Sequence, residues 1–250
     1  MVGPADCDWE WADKTGGKLS AEQQRQWRRL YVKEIPAGMA DQILDKLGFH
    51  GDGHLDFDAL TLPRTQLTRA AEDAAVKNLS DSVLAHSYRC YYFALVLAGQ
   101  AGVEFDNELA YAACLLHDLN LESPRAGTCF AVGGARRARQ IALDAGESLE
   151  RAEQLAAGIA GHMNLGVAHD LADAGGFIAA GAMVDVFGVG LRRFNRAWVQ
   201  ELMQRHPRLR FTELAVAAML AESAVNPDGR VAFIVHRGAT DVVRSARFQE

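Results

Sequence analysis

The sequence predicts an all-α helical bundle with a helical N-terminal extension, on three observations. Apolar residues recur at helical spacing along nearly all of the 250 residues, which places them on one face of successive helices. Alternation of the β type is scarce. Capping residues such as Ser20, Ser80 or Asp81, Asp106 and Ser148 precede the apolar runs, and glycines such as Gly48, Gly102 and Gly146 follow them. With 49% hydrophobic and 23% charged residues, the composition is that of a globular chain long enough to bury a sizeable core.

Residues 1–19 read as loosely ordered. Ser20 caps a helix to about residue 34, with Trp27, Leu30 and Tyr31 on one stripe. Pro36 opens a second helix that ends at Gly48. Residues 49–62, rich in Asp and Gly, read as a loop. It joins this N-terminal extension (1–62) to the main body (63–250). In the body, helices fit residues 64–76, 81–97, 106–118, 132–145, 148–163, 176–186, 197–204 and 213–224. Pro124 and Gly127 mark 119–130 as a loop, and residues 230–235 have the only β-like flavour.

A net charge of -6 argues against a nucleic-acid surface and against a polybasic membrane patch. The N-terminus lacks the basic and apolar regions of a secretory signal. The apolar windows 111–116 and 177–184 are far shorter than the roughly 20 residues of a membrane span. Cys7, Cys90, Cys114 and Cys129 show no CxxC spacing, which suits a reduced, cytoplasmic chain. The donor-rich stretch 50–58 lacks calcium-loop spacing, and Gly133-Gly134 lacks the dinucleotide fingerprint. The basic run 205–210 reads as a helix end and solvated face. A small-molecule partner remains as the expectation, and a homo-oligomer is compatible with it.

Chemistry concentrates in four residues. His-Asp dipeptides occur at His117-Asp118 and His169-Asp170, where about 0.6 is expected by chance. The first ends the apolar run 108–116, where two polar groups are costly unless paired or bound to metal. The second lies in a polar, Gly-flanked stretch and reads as a turn and cap. His86 shares a helical face with Cys90, Phe93 and Leu97. On its own it would read as a core histidine. Asp185 sits among Ala182, Met183, Val184, Val186 and Phe187, so it too needs a partner. Two such His and two such Asp on separate helices can form a metal site. Their N2O2 set suits Zn2+, Fe2+, Mn2+ or Ni2+, with positions left open for water and substrate.

The order His86, His117-Asp118, Asp185 resembles the HD superfamily of metal-dependent hydrolases. His86-Ser87-Tyr88-Arg89, Phe105 to Leu109, Leu115 to Leu121, Phe130 to Ala138 and Ala157 to His162 are similar to its cyanamide hydratase-like branch. The resemblance covers about residues 62–190. It implies an HD-domain bundle and one divalent metal, zinc or iron, held by His86, His117, Asp118 and Asp185. A metal-bound water would be the nucleophile. Asn120 stands where the branch usually has Gly; its amide would alter substrate fit or orient a ligand.

Other residues carry paired readings. His162 moves a proton or hydrogen-bonds substrate, or it is a helix C-terminal histidine stabilised by the dipole. Glu122 is a general base at the pocket mouth or a solvated loop residue. Arg89 binds an anionic substrate or pairs with a carboxylate such as Glu108. Phe130 and Asn164 line the pocket. The expected activity is a hydratase or hydrolase for a small, polar, nitrogen-containing molecule of the cyanamide or nitrile type. A phosphohydrolase acting on a nucleotide or phosphomonoester is the alternative, weakened because no Lys follows the His-Asp pair. A di-iron oxygenase is a third. It needs a further His or Glu between Asp118 and His162; there is no His, the carboxylate candidates are Glu122, Asp144, Glu147, Glu150 and Glu153, and residues 132–145 present Arg136, Arg137 and Arg139 instead, which favours one metal.

Overall fold

The computed structural model describes residues 7–246 and 248. Among these, twelve α-helices and two short 3-10 turns make up the regular structure, with isolated bridges in place of strands. The all-α expectation holds. The central helices are α3 (Gln66–Asn78), α4 (Asp81–Ala101), α5 (Asn107–Leu116), α6 (Phe130–Asp144), α7 (Leu149–Gly161) and α8 (Ala174–Phe187). They start where capping predicts: the side chains of Ser80, Asp106 and Ser148 accept from the third backbone N–H of α4, α5 and α7. Gly102 and Gly188 end α4 and α8 in the left-handed conformation.

Helices α5 and α8 each pack against both α4 and α7, and α6 lies along α7. One approach matters most for function. Gly181 of α8 lies so close to α4 that a Cβ there would overlap the Cys90 carbonyl oxygen. Asp185 is one turn beyond Gly181, and His86 is one turn before Cys90. The close crossing therefore sets Asp185 against His86. Helices α9 (Arg196–Arg205), α10 (Phe211–Val225), α11 (Arg230–Val235) and α12 (Ala239–Ser245) complete the body. Of these, α10 touches α4 and α12 touches α8, closing one side of the site.

The structure differs from the sequence reading in four places. Residues 9–15 form a helix, α1 (Trp9–Thr15), capped by Asp8 and resting on α6 and α7. A single helix, α2 (Ala21–Lys46), runs through Pro36, because a proline forfeits one backbone bond without compelling a break. Residues 230–235 are helical: Val231, Ala232 and Phe233 are buried where α11 packs on α10, and tertiary packing overrides local propensity. Helix α12 was not foreseen. Trp27 and Tyr31 of α2 meet Phe233 of α11 edge-on, with ring centres at 5.5 and 6.1 Å. The loop 49–62 is tied down by backbone bonds from Gly51 and Gly53 to Arg192 and Arg193.

Candidate metal centre

His86, His117, Asp118 and His162 are all buried and converge from α4, the end of α5 and the end of α7. His117 and His162 are built alike. Each is the C-terminal cap of its helix, and each ring Nδ1 faces the carbonyl three residues back: Cys114 at 2.7 Å and Ile159 at 2.5 Å. A carbonyl can only accept, so Nδ1 carries the proton and Nε2 keeps its lone pair. His86 is held from behind by a carboxylate, with Nδ1 at 2.7 Å from Asp185 Oδ2. All three imidazoles are thus anchored through Nδ1. Asp118 Oδ2 lies 3.3 Å from His117 Nε2 and 3.6 Å from His86 Nε2. His117, Asp118 and His162 each offer a donor atom within 4.8 Å of the others.

This donor set fits a divalent ion. Two ligands about 2.1 Å from a tetrahedral ion lie about 3.4 Å apart, close to the separations around Asp118. Burial lowers the pKa of His117, and burial with the neighbouring His117 lowers that of His162 much further. Both rings are therefore neutral near pH 7, the form that binds metal. An Nδ1–H held by a carbonyl or carboxylate is the usual backing of a ligating histidine. Cys90 Sγ lies 3.4 Å from His86 Nε2, and His86, Cys90 and His117 form a second close group. Burial and the Asp185 charge push the Cys90 thiol well above its ordinary pKa, so it stays protonated.

The family model described as "HD domain" matches residues 83–215, a little over half the chain. The chain belongs to the HD-domain family. No curated protein matches it closely enough to lend it a function. Members of this family are mostly metal-dependent hydrolases, and the cluster described above can hold their metal.

The HD domain treats the sequence-derived candidates unequally. Asp185 stands behind His86 instead of beside Asp118. Its Oδ2 also accepts from Arg89 at 2.9 Å, and its Oδ1 accepts from Arg89 at 2.7 Å and Arg208 at 3.1 Å. Burial alone would raise its pKa. The two guanidiniums and the His86 bond outweigh that and hold it far below the carboxylate range. With both oxygens engaged by these groups, Asp185 backs the His86 ring, while His162 stands beside His117 and Asp118.

Arg89 is fully buried on Asp185 and on the carbonyls of His206 and Pro207, so it does not reach substrate. Its partner is Asp185; Glu108 pairs with Arg151 at 3.1 Å. Glu122 is exposed, outside the pocket, and accepts from the Ser80 backbone N–H at 3.2 Å. The general-base reading has no support there. Asn120 is buried against Gly133 and lines a neighbouring recess of about 280 Å³ with Arg125, Arg136 and Arg137. Phe130 and Asn164 line the main pocket. Phe130 meets His162 edge-on, whereas the Asn164 amide is engaged by Arg230 and the Cys7 carbonyl.

Two participants escaped the sequence reading. Arg208 belongs to a run that looked like a solvated face, yet it is buried on Asp185. Leu209 and Arg210, at φ 53 and 61, carry the chain sharply from Arg208 into α10. Glu222 of α10 is the other: one glutamate in an ordinary helical pattern, but 1% exposed and lining the pocket. A carboxyl four residues before Asn226, with apolar neighbours in Ala221 and Ala224, was the only available signal.

Proposed function

We propose that the chain is a metal-dependent hydratase or hydrolase adding water to an uncharged carbon–nitrogen group. Nitrile hydration to an amide is the concrete form. His86, His117, Asp118 and His162 would hold one divalent ion, zinc or iron. The observation that carries this reading is the common anchoring of three imidazoles through Nδ1, with Asp118 among the Nε2 atoms. When bound, such an ion polarises the reacting group and lowers the pKa of water towards about 7.

The protein supplies the rest. The Nδ1 bonds keep each lone pair aimed before substrate arrives, so little reorganisation is needed. Asp118 adds one negative charge, leaving a net positive site for a developing anionic nitrogen or oxygen. The apolar walls of the pocket, among them Leu121, Phe130 and Met183, keep out competing water. In the reaction one C–O bond forms, a carbon–nitrogen π bond opens, and the protons of water pass to nitrogen.

Electrostatics favours this reading over phosphate-ester hydrolysis. A phosphoryl group needs fixed cations. Among the described residues lining the pocket, Arg237 alone is an Arg or Lys. Arg89 and Arg208 are committed to Asp185.

The test combines metal content with product analysis on wild type and His162→Ala. About one equivalent of zinc or iron, at least tenfold weaker binding in the variant, and amide from cyanamide or an organic nitrile are expected. Full metal retention in His162→Ala would remove His162 from the ligand set. Phosphate release with no amide, or two irons per chain, would overturn the reaction.

A further inference from the structure

The pocket beside the metal cluster is far larger than a molecule of three heavy atoms needs. Its volume is about 410 Å³, whereas a cavity of about 150 Å³ already holds benzene. Helix α8 builds one wall. Gly181 and Asp185 face α4, while Ala179, Ala182, Met183 and Val186 form the adjoining stripe of the helix and line the pocket. Ala182, Met183 and Val186 are only half-buried, so apolar surface on this stripe stays open. Helices α10 and α11 add Met219 and Ile234.

The polar side chains on this wall beyond the cluster are turned elsewhere. Tyr31 donates to the Arg237 carbonyl at 2.9 Å. Arg237 donates to the Phe233 carbonyl at 2.6 Å, and its guanidinium lies 3.6 Å from the centre of the Phe233 ring, which packs against Trp27. Asn164 accepts from Arg230 and donates to the Cys7 carbonyl. Glu222 is met by Asn226 and the Phe130 N–H, and its Oε2 is buried. A polar body in this pocket would give up its water and gain little from these committed side chains. An apolar body would cover the open stripe, which is favourable in proportion to the area removed from water.

We propose that the substrate carries an apolar body, an aryl or alkyl group about the size of a benzene ring, which packs on Ala182, Met183, Val186, Met219 and Ile234 while its carbon–nitrogen group lies at the His86–His117–Asp118–His162 cluster. The inference rests on the reading of that cluster as the reacting centre and names the substrate class for it. Cyanamide has no body to bury there, so it binds and reacts poorly beside an aryl or alkyl nitrile.

The test uses three nitriles on the zinc-loaded full chain. Calorimetry compares 3-phenylpropionitrile with propionitrile, which lacks the ring, and with 3-(2-oxopyrrolidin-1-yl)propionitrile, whose ring is of similar size but polar. In wild type the phenyl compound is expected to bind at least about tenfold tighter than either, the effect of burying one apolar ring. Ala182→Phe fills the space over the stripe, so the preference should vanish with metal content unchanged. Equal binding of the three probes by wild type, or a preference that survives in Ala182→Phe, would overturn the proposal.

If Ala182→Phe does not fold, methyl NMR of wild type labelled at methionine decides. The ring of bound 3-phenylpropionitrile should shift the methyls of Met183 and Met219 on the pocket wall and leave that of Met203, on α9, in place. Unmoved Met183 and Met219 methyls overturn the proposal. The two readings fail separately. A protein that prefers the phenyl compound and shifts these methyls but makes no amide has lost only the reaction. One that makes amide but binds the three probes alike has lost only the substrate class.

Discussion

Asp185 is the residue on which the centre turns. It fixes the His86 ring and neutralises two buried guanidiniums at once. In Asp185→Asn the shape survives, but Arg89 and Arg208 lose their counter-charge. Removing one partner of a buried ion pair costs about 3–5 kcal/mol. Metal binding should fall by about 10- to 100-fold because His86 loses its anchor. Denaturant titration and metal titration read the two effects; a variant with wild-type metal affinity would return Asp185 to a purely structural role. The sequence made His86, His117 and Asp118 legible because buried polar residues on apolar helices need partners. Asp185 was legible as a buried carboxylate in need of partners, but spacing does not show which cations meet it, here Arg89 and Arg208. Glu122 and Asn120 were drawn in by proximity to Asp118 in the chain, whereas the loop turns Glu122 outward and Asn120 towards Arg137.

At the scale of elements, the crossing of α4 and α8 is set by Gly181. Gly181→Ala forces the helices apart at Cys90, and overpacking of this kind costs about 1–3 kcal/mol. Because Asp185 and His86 lie one turn away on either helix, metal affinity should drop together with stability. Calorimetric melting and metal titration of the variant would show both; a stability loss with intact metal affinity would separate the crossing from the centre. The turn after α9 offers the opposite experiment. Leu209 is half exposed with positive φ, a conformation that suits glycine. Leu209→Gly should leave stability unchanged or raise it by about 1 kcal/mol, where most substitutions lower it. Helix starts were legible from their caps, and α4, α5 and α7 begin where Ser80, Asp106 and Ser148 place them. Helix α11 was not, because six residues rich in Val, Ile and Phe carry no period long enough to decide between helix and strand.

For the whole molecule, buried neutral histidines govern acid stability. Burial, then Arg89 and Arg205, push His206 down to about 4 from 6.5, and His117 and His162 are lowered as well. In the unfolded chain these rings take up protons near pH 6.5. The folded state binds fewer protons in that range, so stability is complete above about pH 6.5 and is lost as pH falls towards 4. Asp185 adds a loss of its own only below about 3.8. Urea midpoints should be flat above pH 6.5 and decline below it, with a shallower decline in His206→Phe. An identical slope in that variant would exonerate His206. A divalent ion that binds only the folded chain should raise stability by about 2.7 kcal/mol at a hundredfold excess over Kd. Among the described residues no helix is long and apolar enough to cross a membrane.

The anchoring of the three histidines also determines how the centre tolerates genetic change. Two anchors are main-chain carbonyls, at Cys114 and Ile159, and survive any side-chain replacement that preserves the helix end. The third is a side chain, and its own supports are two further side chains, Arg89 and Arg208. In a saturation library scored for metal retention, positions 114 and 159 should accept many residues of similar volume. Positions 89, 185 and 208 should accept almost none, though all three lie outside the cluster itself. Fragility in this protein is inherited through the support of one ring, and the other two are insured by the backbone.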